Sequence, residues 1–188
     1  MRCYFMSYKW WILVAAVLFV IGLVLGLITP AGGTSLLSED MEALVELSDF
    51  LLSLSPPLMA IGIFFKNVLA LLLSFVLSPI LCLAPAITLV ANGWLITLVS
   101  AAVIQEKSLS FVLAGLLPHG IIEIPAFILG EAAALSFGAM VILVLFKKKQ
   151  KNQLVPSLKQ NLKYLMIAFA LLVPAAIIET FVTPLLLK

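Results

Sequence analysis

Residues Leu116 to Gly138 read LLPHGIIEIPAFILGEAAALSFG. The run is apolar enough to lie in a lipid bilayer, yet it carries His119, Glu123, Glu131, Pro118 and Pro125. A charge at the centre of a bilayer costs about 2.5–3.5 kcal/mol on insertion scales. Such groups are therefore expected to face a bundle interior or a water-filled cavity. Ala126, Gly130, Ala134 and Gly138 recur every fourth residue along the same run. A stripe of small side chains lets helix backbones approach closely in a membrane. The stretch thus reads as a membrane helix packed among others, with its polar groups turned inward.

The rest of the chain agrees. Of 188 residues, 64% are hydrophobic and 11% charged, and mean hydropathy is +1.26. Soluble domains run near half apolar and a quarter charged, and this chain has too few polar residues to cover a soluble surface. The expected class is all-α, a polytopic membrane helix bundle. Residues 1–188 form a single integral membrane domain, because no stretch of ordinary composition is long enough to fold alone. Cys3 and Cys82 suggest neither a disulfide framework nor a metal motif, and no cofactor is implied.

A span needs about 20 mainly apolar helical residues. Five runs qualify, at about 10–29, 58–84, 85–104, 118–146 and 164–184. Trp10 and Trp11 suit an interface belt at the start of the first, and Pro30 ends it. Its apolar run exceeds the usual signal-peptide core, so it is read as a retained span. Between Ala31 and Pro57, Ser38 precedes Glu39, Asp40 and Glu42, a capped helix start with acids in its first turn. Leu44, Val45, Leu47 and Leu51 then share roughly one face, which predicts an amphipathic helix lying on the membrane. Leu109 to Leu117 is too short to span and reads as a re-entrant or interfacial helix. Pro118 then suits the first turn of the fourth span, where its missing N–H costs nothing.

Charge asymmetry sets the expected orientation. Lys147 to Lys163 holds six lysines and no acid, whereas Glu39, Asp40, Glu42, Glu46 and Asp49 follow the first span without a base. Positive loops stay in the cytoplasm. With five spans, the N-terminus and the lysine stretch fall on the cytoplasmic side and the C-terminus outside. The lysines also suit contact with anionic lipid headgroups of the bilayer. No aromatic interleaving accompanies them, so nucleic acid is not an expected partner.

Orientation then gathers the polar residues. His119 and Glu123 lie four apart on one helix face. Glu131 lies two turns deeper and joins the polar intramembrane group, either protonated or bonded to a neighbouring serine or backbone carbonyl. Glu179 sits in the outer part of the fifth span, Lys66 and Asn67 in the outer half of the second, and Asn92 near the middle of the third. The economical arrangement is one converging polar site of His119, Glu123 and Glu179, lined by Asn67 and Asn92. Lys66 reads either as an ion-pair partner or as a side chain that snorkels to the surface. The plainer reading of Asn67 and Asn92 is interhelical hydrogen-bond glue, typically worth under about 2 kcal/mol each. Gly22 and Gly26 form a GxxxG pair suited to close packing, either within one chain or between the copies of a homo-oligomer.

No catalytic constellation is legible. The chain has a single histidine, so HExxH is absent, as are a GxSxG elbow and a phosphate loop. A non-enzymatic protein is expected.

The blocks KN at 66–67, NG at 92–93, PHGIIE at 118–123 and IETFVTP at 178–184, in that order, resemble the stage II sporulation protein M family. The resemblance covers most of the chain and implies a five-span protein of the cytoplasmic membrane. In spore formers the namesake is the membrane partner of peptidoglycan-remodelling enzymes during engulfment. By resemblance, the chain is expected to be a scaffold that localises extracytoplasmic protein partners. The polar groups keep a second class open, a small transporter or channel in which His119, Glu123 and Glu179 bind a proton or cation.

Overall fold

The computed structural model describes residues 8–29, 46, 50, 53–146 and 148–187. Among them every regular element is helical. The long helices are α1 (Tyr8–Ile28), α2 (Pro56–Leu77), α3 (Leu83–Glu106), α4 (Leu109–Phe146) and α5 (Leu154–Ile177). A 3-10 turn, Lys148–Gln153, precedes α5; a π-helical turn, Ile178–Val182, and a short helix α6 (Thr183–Leu186) follow it. The interfacial helix expected within Ala31–Pro57 lies largely outside the described residues; of that stretch only 46, 50 and 53–57 are described, and Pro56 and Pro57 open α2.

Five helical segments are long and apolar enough to cross a membrane. Each long helix also turns large apolar side chains outward, for example Val20, Phe65, Ile87, Ile121 and Met166. Exposed apolar faces of this extent would be an aggregation hazard in water; in hydrocarbon they are the natural outer surface.

α4 is the central helix and packs against each of the other four long ones. Its buried residues are mostly small, including Gly120, Ala126, Gly130, Ala132, Ala133, Ala134 and Gly138. The stripe read from the sequence is used inside the chain. A Cβ built on Gly130 would lie 2.8 Å from Leu71 Cδ1 of α2. One built on Gly138 would strike the Ser78 carbonyl in the turn after α2. That turn carries Leu81 and Cys82 at φ 53 and 56, a left-handed conformation costing roughly 1–2 kcal/mol per non-glycine residue. The Cys82 thiol donates to the Leu135 carbonyl of α4 (3.6 Å), so packing on α4 helps to hold it. The second span thus ends at Leu77, short of the expected 84, and the third begins at Leu83, close to the expected 85.

The GxxxG pair of α1 is also used within the chain. Cβ atoms on Gly22 and Gly93 would collide with the carbonyls of Val90 and Phe19 respectively, so α1 and α3 touch backbone to backbone. Trp94 Nε1, from the middle of α3, donates to Thr29 Oγ1 (2.9 Å), just past the end of α1. The near end of α1 is fixed by Tyr8, whose hydroxyl donates to the Leu129 carbonyl (2.9 Å) while its ring stacks on Tyr164 of α5. These contacts give an alternating bundle. α1, α3 and α5 run one way, α2 and α4 the other.

One expectation is corrected here. Leu109–Leu117 is not a re-entrant or interfacial segment, and Pro118 does not open a helix. Both lie inside α4, a continuous helix of 38 residues. At 1.5 Å per residue its length is about 57 Å, against about 30 Å of hydrocarbon. Pro118 and Pro125 remove two N–H groups from the ladder, but membrane helices tolerate such losses where neighbouring helices support them. The extra turns have such support: Leu187, just past α6, packs beside Gly115.

Candidate functional site

The site grows from the i, i+4 spacing of His119 and Glu123 on α4. His119 Nε2 lies 3.8 Å from Glu123 Oε2, with both side chains largely buried. That distance is too long for a hydrogen bond. Glu179 reaches the same place from the π-helical turn after α5. One donor atom from each of His119, Glu123 and Glu179 can be chosen so that all three lie within 4.8 Å of one another. π turns recur at functional sites because they add a residue to the helical turn and redirect side chains.

Neighbours orient this group. Asn67 Nδ2 donates to Glu123 Oε1 (2.8 Å). His119 Nδ1 faces Thr183 Oγ1 at 3.4 Å, and the Thr183 hydroxyl donates to the Ile178 carbonyl (3.3 Å). Lys66, His119 and Glu179 line one end of a cavity of about 500 Å³. Its remaining walls are mainly apolar, built by Leu95, Ile96 and Val99 of α3 and by Phe111, Val112 and Leu116 of α4. Lys66 lies near the middle of α2, His119 in the first third of α4 and Glu179 just past α5, on the side of the bundle away from the lysine-rich turn before α5.

The structure therefore brings together His119, Glu123, Glu179, Asn67 and Lys66. It does not bring in Asn92 or Glu131. Asn92 donates to the carbonyl of Thr88 in its own helix (2.8 Å). It lies one turn deeper than Ile96, beyond the residues that line the cavity. Glu131 is fully buried at the seam of α2 and α4, where it accepts a short hydrogen bond from Ser74 Oγ. Its other oxygen, Oε1, has no hydrogen-bond partner among the described residues. Asn67–Glu123 and Ser74–Glu131 are thus two rungs of one parallel seam, and only the first belongs to the cluster with His119 and Glu179. The motif reading missed Thr183 and Ser74. The threonine sits four residues after Glu179, a helical spacing that placed it on the same face; Ser74 carries no signal of its own.

The Ser74–Glu131 rung makes a stability prediction. Ser74→Ala leaves a buried carboxyl without its partner and should destabilise the protein by about 1–3 kcal/mol. Replacing both partners, Ser74→Ala with Glu131→Leu, should recover most of that loss, since an apolar pair leaves nothing unsatisfied. Thermal unfolding of the three variants in detergent measures the coupling. Additive losses would remove the pairing as a source of stability.

Apolar outer faces, five crossing helices and ionisable groups drawn inward define a multi-pass integral membrane protein. The chain belongs to the stage II sporulation protein M family, whose profile matches residues 15–184. Among curated relatives, an uncharacterized protein of Methanocaldococcus jannaschii is 34% identical over 103 residues, 54% of this chain and 58% of its own. A second uncharacterized protein of that organism is 38% identical over 69 residues, 36% of this chain and 32% of its own. Both matches span less than two thirds of the relative's length. No solved structure matches the chain.

Proposed function

We propose that the protein is a non-enzymatic membrane protein of the transport class, binding a proton or small cation at His119, Glu123 and Glu179. The observation that carries this reading is the convergence of these three groups from two chain segments, with His119 and Glu179 lining a cavity. A purely structural cluster would be expected to close its hydrogen bonds. Here Glu123 bonds Asn67 and His119 meets Thr183, yet Nε2 and Oε2 face each other at 3.8 Å, beyond hydrogen-bond distance. Intramembrane ionisable groups of this kind mark ion and proton pathways. Reconstitution into vesicles with an internal pH- or cation-sensitive dye tests it. Flux above protein-free vesicles is expected, and its absence for every monovalent and divalent cation tried, and for protons, would reject the reading.

Family membership favours a second reading. A scaffold of the cytoplasmic membrane that localises extracytoplasmic, peptidoglycan-remodelling partners would use the outer loops and leave the polar cluster structural. Co-purification from native membrane after crosslinking separates the two readings: a stoichiometric envelope enzyme supports the scaffold.

Either reading needs an orientation, and the lysine asymmetry supports a cytoplasmic N-terminus and an extracytoplasmic C-terminus. A cysteine placed at Asn152, in a chain lacking Cys3 and Cys82, should react with an impermeant maleimide only after the membrane is opened. Labelling in intact cells would reverse the assignment.

A further inference from the structure

We propose that His119, Glu123 and Glu179 form a binding site for a divalent transition-metal ion of the zinc class, entering through the cavity between α3 and α4. The inference rests on the cation-binding reading and names its ion. One imidazole nitrogen and two carboxylate oxygens match the ligand set of zinc and its neighbours. Calcium and magnesium favour all-oxygen shells.

The geometry is close to what such an ion needs. Three atoms within 4.8 Å of one another always share a point within about 2.8 Å of each, so inward shifts of about 0.7 Å reach the Zn–N and Zn–O bond length of about 2.1 Å. Side-chain rotation supplies such a shift without moving a helix.

The hydrogen bonds around the site supply the independent argument. The Thr183 hydroxyl gives its proton to the Ile178 carbonyl. Its oxygen is then left to accept from His119 Nδ1. In the neutral ring that leaves the lone pair on Nε2, which lies toward Glu123 Oε2. Asn67 occupies the other oxygen of Glu123, so Oε2 is the one left open. With the ring neutral, Nε2 and Oε2 face each other as two acceptors, the arrangement in which one cation can bind both. A hydrogen bond on the far nitrogen of a histidine and another on a carboxylate are the outer-shell bonds that orient metal ligands. The adjoining cavity leaves room for a fourth ligand such as water, the mark of an exchangeable rather than a structural ion. Lys66 is the charge that opposes binding. It is exposed at the cavity rim, and its long stem lets the ammonium turn to water when the dication neutralises the two carboxylates.

His119 is the chain's single histidine, so the test requires protein freed of any histidine tag. Chelator-stripped protein in nanodiscs is titrated with Zn²⁺ by calorimetry and with Co²⁺ by visible absorption. One ion per chain is expected, with Co²⁺ bands of a low-coordinate site, and Mg²⁺ should not compete. His119→Gln and Glu123→Gln should each abolish binding. Thr183→Val and Asn67→Leu, which touch no ion, should weaken it about 10- to 100-fold, as loss of an outer-shell partner does. Unchanged helical content and unfolding temperature of the ion-free variants exclude misfolding as the cause. Lys66→Met should tighten binding. Failure of the native protein to bind Zn²⁺ stoichiometrically overturns the proposal, as does binding that survives His119→Gln with Glu123→Gln. Proton flux without zinc binding would sink this inference and leave the transport reading intact. Zinc binding at these residues without any flux would support the site and remove the transport reading.

Discussion

Glu123→Gln should reduce flux through the reconstituted protein to the level of protein-free vesicles, while the chain still inserts and keeps its helical content. The amide has nearly the shape of the carboxylate, and its oxygen can still accept from Asn67 Nδ2, which now bonds Glu123 Oε1 at 2.8 Å. What disappears is the negative charge beside His119 Nε2 and the ability to take up a proton or hold a cation. Removing an outer-shell partner of an ion site costs about 10- to 100-fold, so removing a ligand should cost about 100-fold or more. Glu179→Gln should act in the same direction, because Glu179 supplies another of the three clustered donors. Asn92→Ala is the control. Its amide bonds its own helix, and flux should not change. Native flux in Glu123→Gln would move the pathway elsewhere in the bundle. Lowered thermal stability with native flux would make the carboxylate a structural group.

Gly93→Leu should prevent the bundle from assembling. A Cβ at Gly93 would meet the Phe19 carbonyl and lie 2.9 Å from the Leu23 backbone nitrogen. These are backbone atoms of α1 and cannot rotate aside. Overpacking usually costs about 1–3 kcal/mol where side chains can shift. Here the helix axes must separate, so the cost should exceed about 3 kcal/mol. Gly22→Leu should behave alike, since its Cβ would meet the Val90 carbonyl. Gly115→Ala makes the contrast: its Cβ would meet only the Leu187 side chain, at 3.8 Å. That change should be neutral or stabilise by up to about 1 kcal/mol through helix propensity. Detergent-solubilised yield and unfolding temperature measure all three. If Gly93→Leu folded with native stability, the close contact of α1 and α3 would not exist.

The sequence by itself determined the class and the number of crossing helices. Each apolar run must meet the bilayer's length and polarity on its own, whatever its neighbours do. It also determined the pairing of His119 with Glu123, because helical spacing is local. The π-helical position of Glu179 was not legible, and neither was the role of Thr183, which lies 64 residues after its ring partner His119. Pro118 misled because a missing N–H suits a helix start as well as a supported interior. Only the chain's end, with Leu187 against Gly115, decided between them. Depth in the bilayer could be read from position along a span, but not the direction a side chain faces. That direction depends on how each helix is rotated about its axis, which close packing sets. Gly93 turns α3 toward α1 and leaves Asn92 to its own helix. Glu131 meets Ser74 while Glu123 meets Asn67. One polar group foreseen along four helices therefore became two separate sites, because tertiary contacts fix rotation and hydropathy does not.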